Sequence, residues 1–86
     1  MGDNNMAIDA RMAAKSAAQY YEDISGERTK LSIEEIEMND DGHFWLITLG
    51  ISDPYSIGMN SKPREYKIFQ IDANTGEVKS MKIRKV

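Results

Sequence analysis

From residue 65 to 84 the chain reads EYKIFQIDANTGEVKSMKIR, two runs of alternating apolar and polar positions on either side of Asn74-Thr75-Gly76. Alternation with a period of two marks a half-buried strand, and a short Asn/Gly break between two such runs predicts a hairpin. With Gly76 in the left-handed conformation that closes a type I turn with a bulge, Ala73 faces Glu77 and Phe69 sits opposite Met81. Opposed residues share a face. Phe69, Ile71, Met81 and Ile83 therefore form one apolar patch, the expected core, while Tyr66, Ile68 and Val78 lie on the other side. Asp72, just before the bend, is placed to accept hydrogen bonds from backbone N–H groups two or three residues on.

Upstream the period changes. Between residues 6 and 23 the apolar positions Met6, Ala10, Ala13, Ala14, Ala17 and Tyr21 recur at three and four, continuing to Ile24, and Asp9, Lys15, Gln19 and Glu22 fall elsewhere. This predicts a helix with an alanine-rich face that can sit close to a sheet, with Tyr20 or Tyr21 and Ile24 as its larger wedges. Ser25-Gly26 stops it, glycine supplying the left-handed C-terminal conformation.

Residues 30–38 read as a strand in which Leu31 and Ile33 are one position out of phase with Ile36 and Met38, implying a bulge near Glu34-Glu35. Asn39-Asp40-Asp41-Gly42 is a turn. The next run has apolar residues in both phases: Trp45, Ile47, Leu49 and Ile51 in one, Phe44 and Leu46 in the other. A strand of that kind is central or covered on both faces. The pattern predicts an α+β fold: one N-terminal helix packed on a four-stranded antiparallel meander sheet, with strands at 30–38, 43–51, 64–73 and 77–85. Residues 1–5 are expected to be disordered and 6–86 to form one domain.

A single helix can cover one face of that sheet, which leaves the other to be met by something else. The segment SDPYSIGMNSKP, residues 52–63, is long for a loop in so small a chain and carries Tyr55, Ile57 and Met59 in polar surroundings. It either folds back over the second face or protrudes as a recognition loop. Trp45 reads as a core or face residue. The candidate partner-binding residues are Tyr55, Ile57 and Met59 with Phe44 and Leu46, and the same Phe44 and Leu46 could instead meet their copies in a weak homodimer.

Composition narrows the classes. Eighty-six residues bury only about 60 to 65 per cent of the unfolded surface, enough for one modest core. Without cysteine there is no disulfide framework or thiolate chemistry. No run approaches membrane-spanning length, and MGDNN is not a signal-peptide start, so membrane insertion is not expected. The net charge is -3, unevenly spread: residues 1–43 carry ten acids and four bases, residues 44–86 four acids and seven bases. Lys79, Lys82, Arg84 and Lys85 alternate with core positions, and no other part of the chain is strongly basic, which argues against nucleic acid.

Catalytic and metal chemistry find little to stand on. His43 is the only histidine and follows a turn glycine, so it reads as a surface residue. Asn39, Asp40 and Asp41 lack the spacing and terminal Glu of an EF-hand loop. Strand alternation points Glu34 and Glu35 apart, and no glycine-rich phosphate loop is present. The expectation is a non-enzymatic chain without metal or cofactor.

The helix followed by antiparallel strands, with Tyr66, Ile68 and then Ile71-Asp72-Ala73-Asn74-Thr75-Gly76-Glu77-Val78 in the last hairpin, resembles the PepSY domain. That family is marked by an aromatic strand ending in an Asp-Ala-x-Thr-Gly-Glu-Val type turn. The resemblance spans most of residues 7–84, with its specific part confined to about a dozen. It implies a bacterial protein, exported or in the cell envelope, that binds another protein, with peptidase inhibition or assisted folding as the role proposed for PepSY propeptides. The extended 52–63 loop and the lack of an attached peptidase depart from that pattern. A weaker similarity, to the helix-plus-four-strand units of β-lactamase inhibitory proteins, also implies protein binding.

Overall fold

In the computed structural model, which describes residues 7–26, 29–53 and 63–84, one helix lies across a four-stranded sheet. The elements are α1 (Ala10–Ser25), β1 (Lys30–Met38), β2 (Phe44–Ser52), β3 (Glu65–Asp72) and β4 (Val78–Ile83). The strands stand in sequence order and every neighbouring pair is antiparallel, so the α+β meander expected from periodicity is the fold observed. Residues 1–5, expected to be disordered, lie outside the described residues.

Helix α1 begins later than periodicity suggests. Asp9, which reads as one more polar helical position, is its N-cap: Oδ1 accepts the Met12 N–H at 2.8 Å and relieves one of the donors a helix start leaves unpaired. Before it, the Ile8 N–H donates to the Ala73 carbonyl at 2.7 Å, which ties the chain to the last hairpin rather than to another helical turn. The other end stops as expected at Gly26, with φ 66° and its N–H on the Glu22 carbonyl.

The core lies between α1 and the two central strands. Ala13, Ala14, Ala17 and Tyr21 pack against Ile47, Leu49 and Ile51 of β2 and Phe69 and Ile71 of β3. The last five are fully buried, each contributing about 1.5–3 kcal/mol relative to exposure. Tyr20 meets Phe69 edge-on, ring centroids 6.3 Å apart. Ile24, expected as a wedge, is half exposed in the last turn. Trp45 shares the helix face, and its indole N–H donates to the Ile8 carbonyl at 3.1 Å.

Both outer strands are bulged. In β1, Ile33 pairs with Leu49 and Glu35 with Thr48, so Glu34 is the extra residue and Leu31, Ile33, Ile36 and Met38 all reach the helix side. In β4, Phe69 faces Met81 as expected, but Ile71 faces Val78 and Lys79 is extra. The turn accounts for this second shift. Gly76, at φ 81°, donates to the Asp72 carbonyl and Asp72 to the Glu77 carbonyl, so the loop between the strands is one residue longer than an Ala73 to Glu77 pairing would leave. Lys79 absorbs the difference, and Val78 lies on the helix side with Ile71 instead of beside Tyr66 and Ile68.

Candidate functional site

The register assigns the reverse face of the sheet residue by residue. Phe44, Leu46, Thr48 and Gly50 of β2 stand beside Asp72, Gln70, Ile68 and Tyr66 of β3. Phe44, Leu46, Ile68 and Tyr66 are all half-buried, and together they make a diagonal apolar row that crosses from β2 to β3. Among the described residues the only helix is α1, and its buried residues pack on the opposite face. The sequence expectation that the second face keeps apolar side chains is therefore met in Phe44, Leu46, Tyr66 and Ile68, and not in Val78, which lies on the helix side.

That row runs between two fixed ends. At one, the turn after β1 is held by the Asn39 side chain, whose Oδ1 accepts the Phe44 N–H at 3.0 Å, and by Gly42 at φ 77°. At the other, the Arg64 N–H donates to the Ile51 carbonyl at 2.8 Å and closes the stem of the 52–63 segment. Pro63 lies on the reverse face there: a Cβ added to Gly50 would meet its Cγ at 2.7 Å and the Glu34 and Ser32 oxygens at 2.8 Å. Only glycine lets the returning chain come that close.

The candidate residues are not all brought together. Tyr55, Ile57 and Met59 lie outside the described residues. The stem that carries them leaves β2 at Ser52, six residues beyond Leu46, or about 20 Å along an extended strand. Phe44 and Leu46 are thus at the far end of the face from the stem, and Ile68 and Tyr66 lie between. Midway, the Arg84 guanidinium donates to Glu35 at 2.6 Å, joining the two outer strands across the row Lys82, Ile68, Thr48, Glu35. Thr48, in that row, is 3% exposed.

Periodicity did not single out a second surface. The alanine face lets α1 sit low over β2 and β3, so the helix-side residues of β1 are poorly covered: Ile33 is 45% and Ile36 43% exposed. They line an open groove of about 520 Å³ with Ala10, Ala14, Asp9 and Arg11. The one-residue phase shift in β1 was the signal for it, since it puts Ile36 and Met38 on the helix side. A second groove of about 470 Å³, between α1 and the last turn, is lined by Lys15, Gln19, Asp23 and Tyr20 with Gly76 and Val78.

The polar groups do structural work. Asp72 Oδ1 accepts the Thr75 and Asn74 N–H groups at 3.0 and 2.8 Å, and these bonds hold its carboxyl below the ordinary value of 3.8. His43 is an exposed turn-end residue with Nδ1 3.5 Å from Asp41. No group of three His, Cys, Asp or Glu side chains able to hold a metal ion occurs among the described residues. None of the described helices is long and apolar enough to cross a membrane. Comparisons with protein-family models, with curated proteins and with solved structures returned no match.

Proposed function

We infer that this chain is a non-catalytic protein-binding module of the PepSY kind, with the reverse face of the sheet and the 52–63 loop as its recognition surface. The observation that carries this reading is the half-buried row Phe44, Leu46, Ile68 and Tyr66, which ends beside a hydrogen-bonded loop stem. Aromatic and aliphatic groups in a shallow, partly desolvated row suit the anchors of a partner better than they suit bulk water. Loops held by a rigid scaffold are where binding groups concentrate, and Tyr55, Ile57 and Met59 extend the same apolar character.

The partner this reading favours is a peptidase of the cell envelope, held in an inhibited or assembling state, as the PepSY resemblance implies. Replacing Tyr55, Ile57 and Met59 together with serine is expected to abolish capture of the partner and leave the thermal unfolding transition in place. Capture that survives the triple replacement removes the loop from the site. Titrating the domain into a thermolysin-like metallopeptidase tests the finer claim: slowed peptide hydrolysis supports inhibition, and unchanged turnover rejects it for that class.

A further inference from the structure

The two edges of the sheet carry opposite charge. The acidic residues of β1 are Glu34, Glu35 and Glu37 against a single Lys30, whereas β4 and the residue after it carry Lys79, Lys82 and Arg84. Both edges also leave apolar side chains open on the helix side, Ile36 and Met38 on β1 and, at 66% exposure, Ile83 on β4. We propose that β1 of one copy pairs with β4 of a second copy, so that the chain associates head to tail into one continuous antiparallel sheet.

Direction and face both allow it. In a four-stranded antiparallel meander β1 and β4 run oppositely, so a second copy laid alongside in the same orientation continues the antiparallel order with its helix on the same side. The side chains then match. Lys82, opposite Ile68, shares the reverse face with Glu35, opposite Thr48, and with Glu37, opposite Leu46. Met81, opposite Phe69, and Ile83, opposite Lys67, share the helix face with Ile36 and Met38. An incoming strand suited to β1 therefore alternates basic and apolar residues, as Met81-Lys82-Ile83-Arg84 does. Arg84 already donates to Glu35 within one molecule, which leaves Lys82 and Glu37 as the pair between copies.

Charge also selects against the symmetric alternatives. Pairing β1 with its own copy sets carboxylate against carboxylate, and pairing β4 with its own copy sets ammonium against ammonium; like charges directly opposed destabilise a sheet. Edge charges and the Glu34 bulge thus block indiscriminate pairing and leave the segment from Glu35 to Met38 open to one complementary strand. A head-to-tail contact leaves one β1 and one β4 unpaired at the ends of an open assembly, so copies add in series rather than stopping at two. Phe44 and Leu46 take no part, and this inference stands or falls apart from the recognition surface above.

Analytical ultracentrifugation of the full chain tests it. At low ionic strength the mean mass is expected to rise with concentration past twice the 9.7 kDa monomer. In about 1 M salt, where the screening length is about 3 Å, the mean mass at a given concentration is expected to fall, by about as much as losing the charge pair. E37K and K82E should each weaken self-association about fivefold, the worth of one cross-strand charge pair near 1 kcal/mol. An equimolar mixture of the two variants should recover it, because each then meets its opposite. Both changes lie on exposed side chains, and the salt response of the unaltered chain is an independent readout. A monomer at every concentration, a plateau at the dimer, or association indifferent to salt and to both reversals overturns the proposal.

Discussion

The two faces of the sheet are built from the same strands and have opposite fates. On the helix side Ile47, Leu49, Ile51, Phe69 and Ile71 are sealed beneath three alanines and Tyr21. On the reverse side Phe44, Leu46, Ile68 and Tyr66 alternate with them along β2 and β3 and stay half open. Hydrophobic content alone does not separate the two rows. What separates them is that one helix with small side chains suffices to cover a narrow strip, and the molecule spends that helix on the central strands. Stability should reside on one face and recognition on the other.

The sharpest break in that contrast would come from the phenylalanines. Phe69→Ala, which empties the sealed core, is expected to cost about 3–5 kcal/mol in chemical denaturation. Phe44→Ala on the reverse face should cost less, about 1–2 kcal/mol, since part of its surface stays in contact with water in the folded state. Comparable losses at the two positions would erase the distinction between the faces.

Gly50→Ala sharpens the picture at the one place where the reverse face is tightly packed. Its methyl group would press on Pro63 and on the Ser32 and Glu34 oxygens, and a loss of about 1–3 kcal/mol in midpoint-derived stability is expected. Unchanged stability would mean that the stem of the 52–63 segment is not held against β2. Gly76→Val, at φ 81°, is expected to cost about 1–2 kcal/mol from backbone strain alone, for a Cβ there meets nothing closer than 3.7 Å.

The smallest effect concerns acid. Because backbone N–H groups of Thr75 and Asn74 hold the Asp72 pKa below its ordinary 3.8, its contribution to stability is fully present above that value and is lost as pH falls through the lower folded pKa. Asp72→Asn should therefore flatten the acid limb of a stability-versus-pH curve below about pH 4 while leaving its neutral region parallel. An unaltered acid limb would place the pH dependence elsewhere.

Much of this architecture was legible in residue order. Alternation found all four strands, the out-of-phase pair Ile33 and Ile36 found the first bulge, and Asn39 to Gly42 and Asn74 to Gly76 found the turns. Two things were hidden because they depend on contacts between distant segments. Asp9 looks like a helical surface residue until Ile8 is seen bonded to Ala73, and Val78 changes sides only because the hairpin closes at Asp72 and Glu77. The candidate site was half legible. Phe44 and Leu46 were found by their phase, but phase carries no distance along the strand, so their separation from the 52–63 stem was not foreseen. The open groove beside Ile33 and Ile36 depends on how low the helix sits, which follows from the alanines only once the strands beneath are ordered.

One measurement bears most directly on the division of labour between the faces. A photo-crosslinking amino acid placed at Leu46, and as a control at Lys15 on the helix, would be activated in cells that produce the chain. A discrete covalent adduct with a second polypeptide is expected from position 46 and none from position 15. Adducts of equal yield from both positions, or none from position 46, would contradict that division.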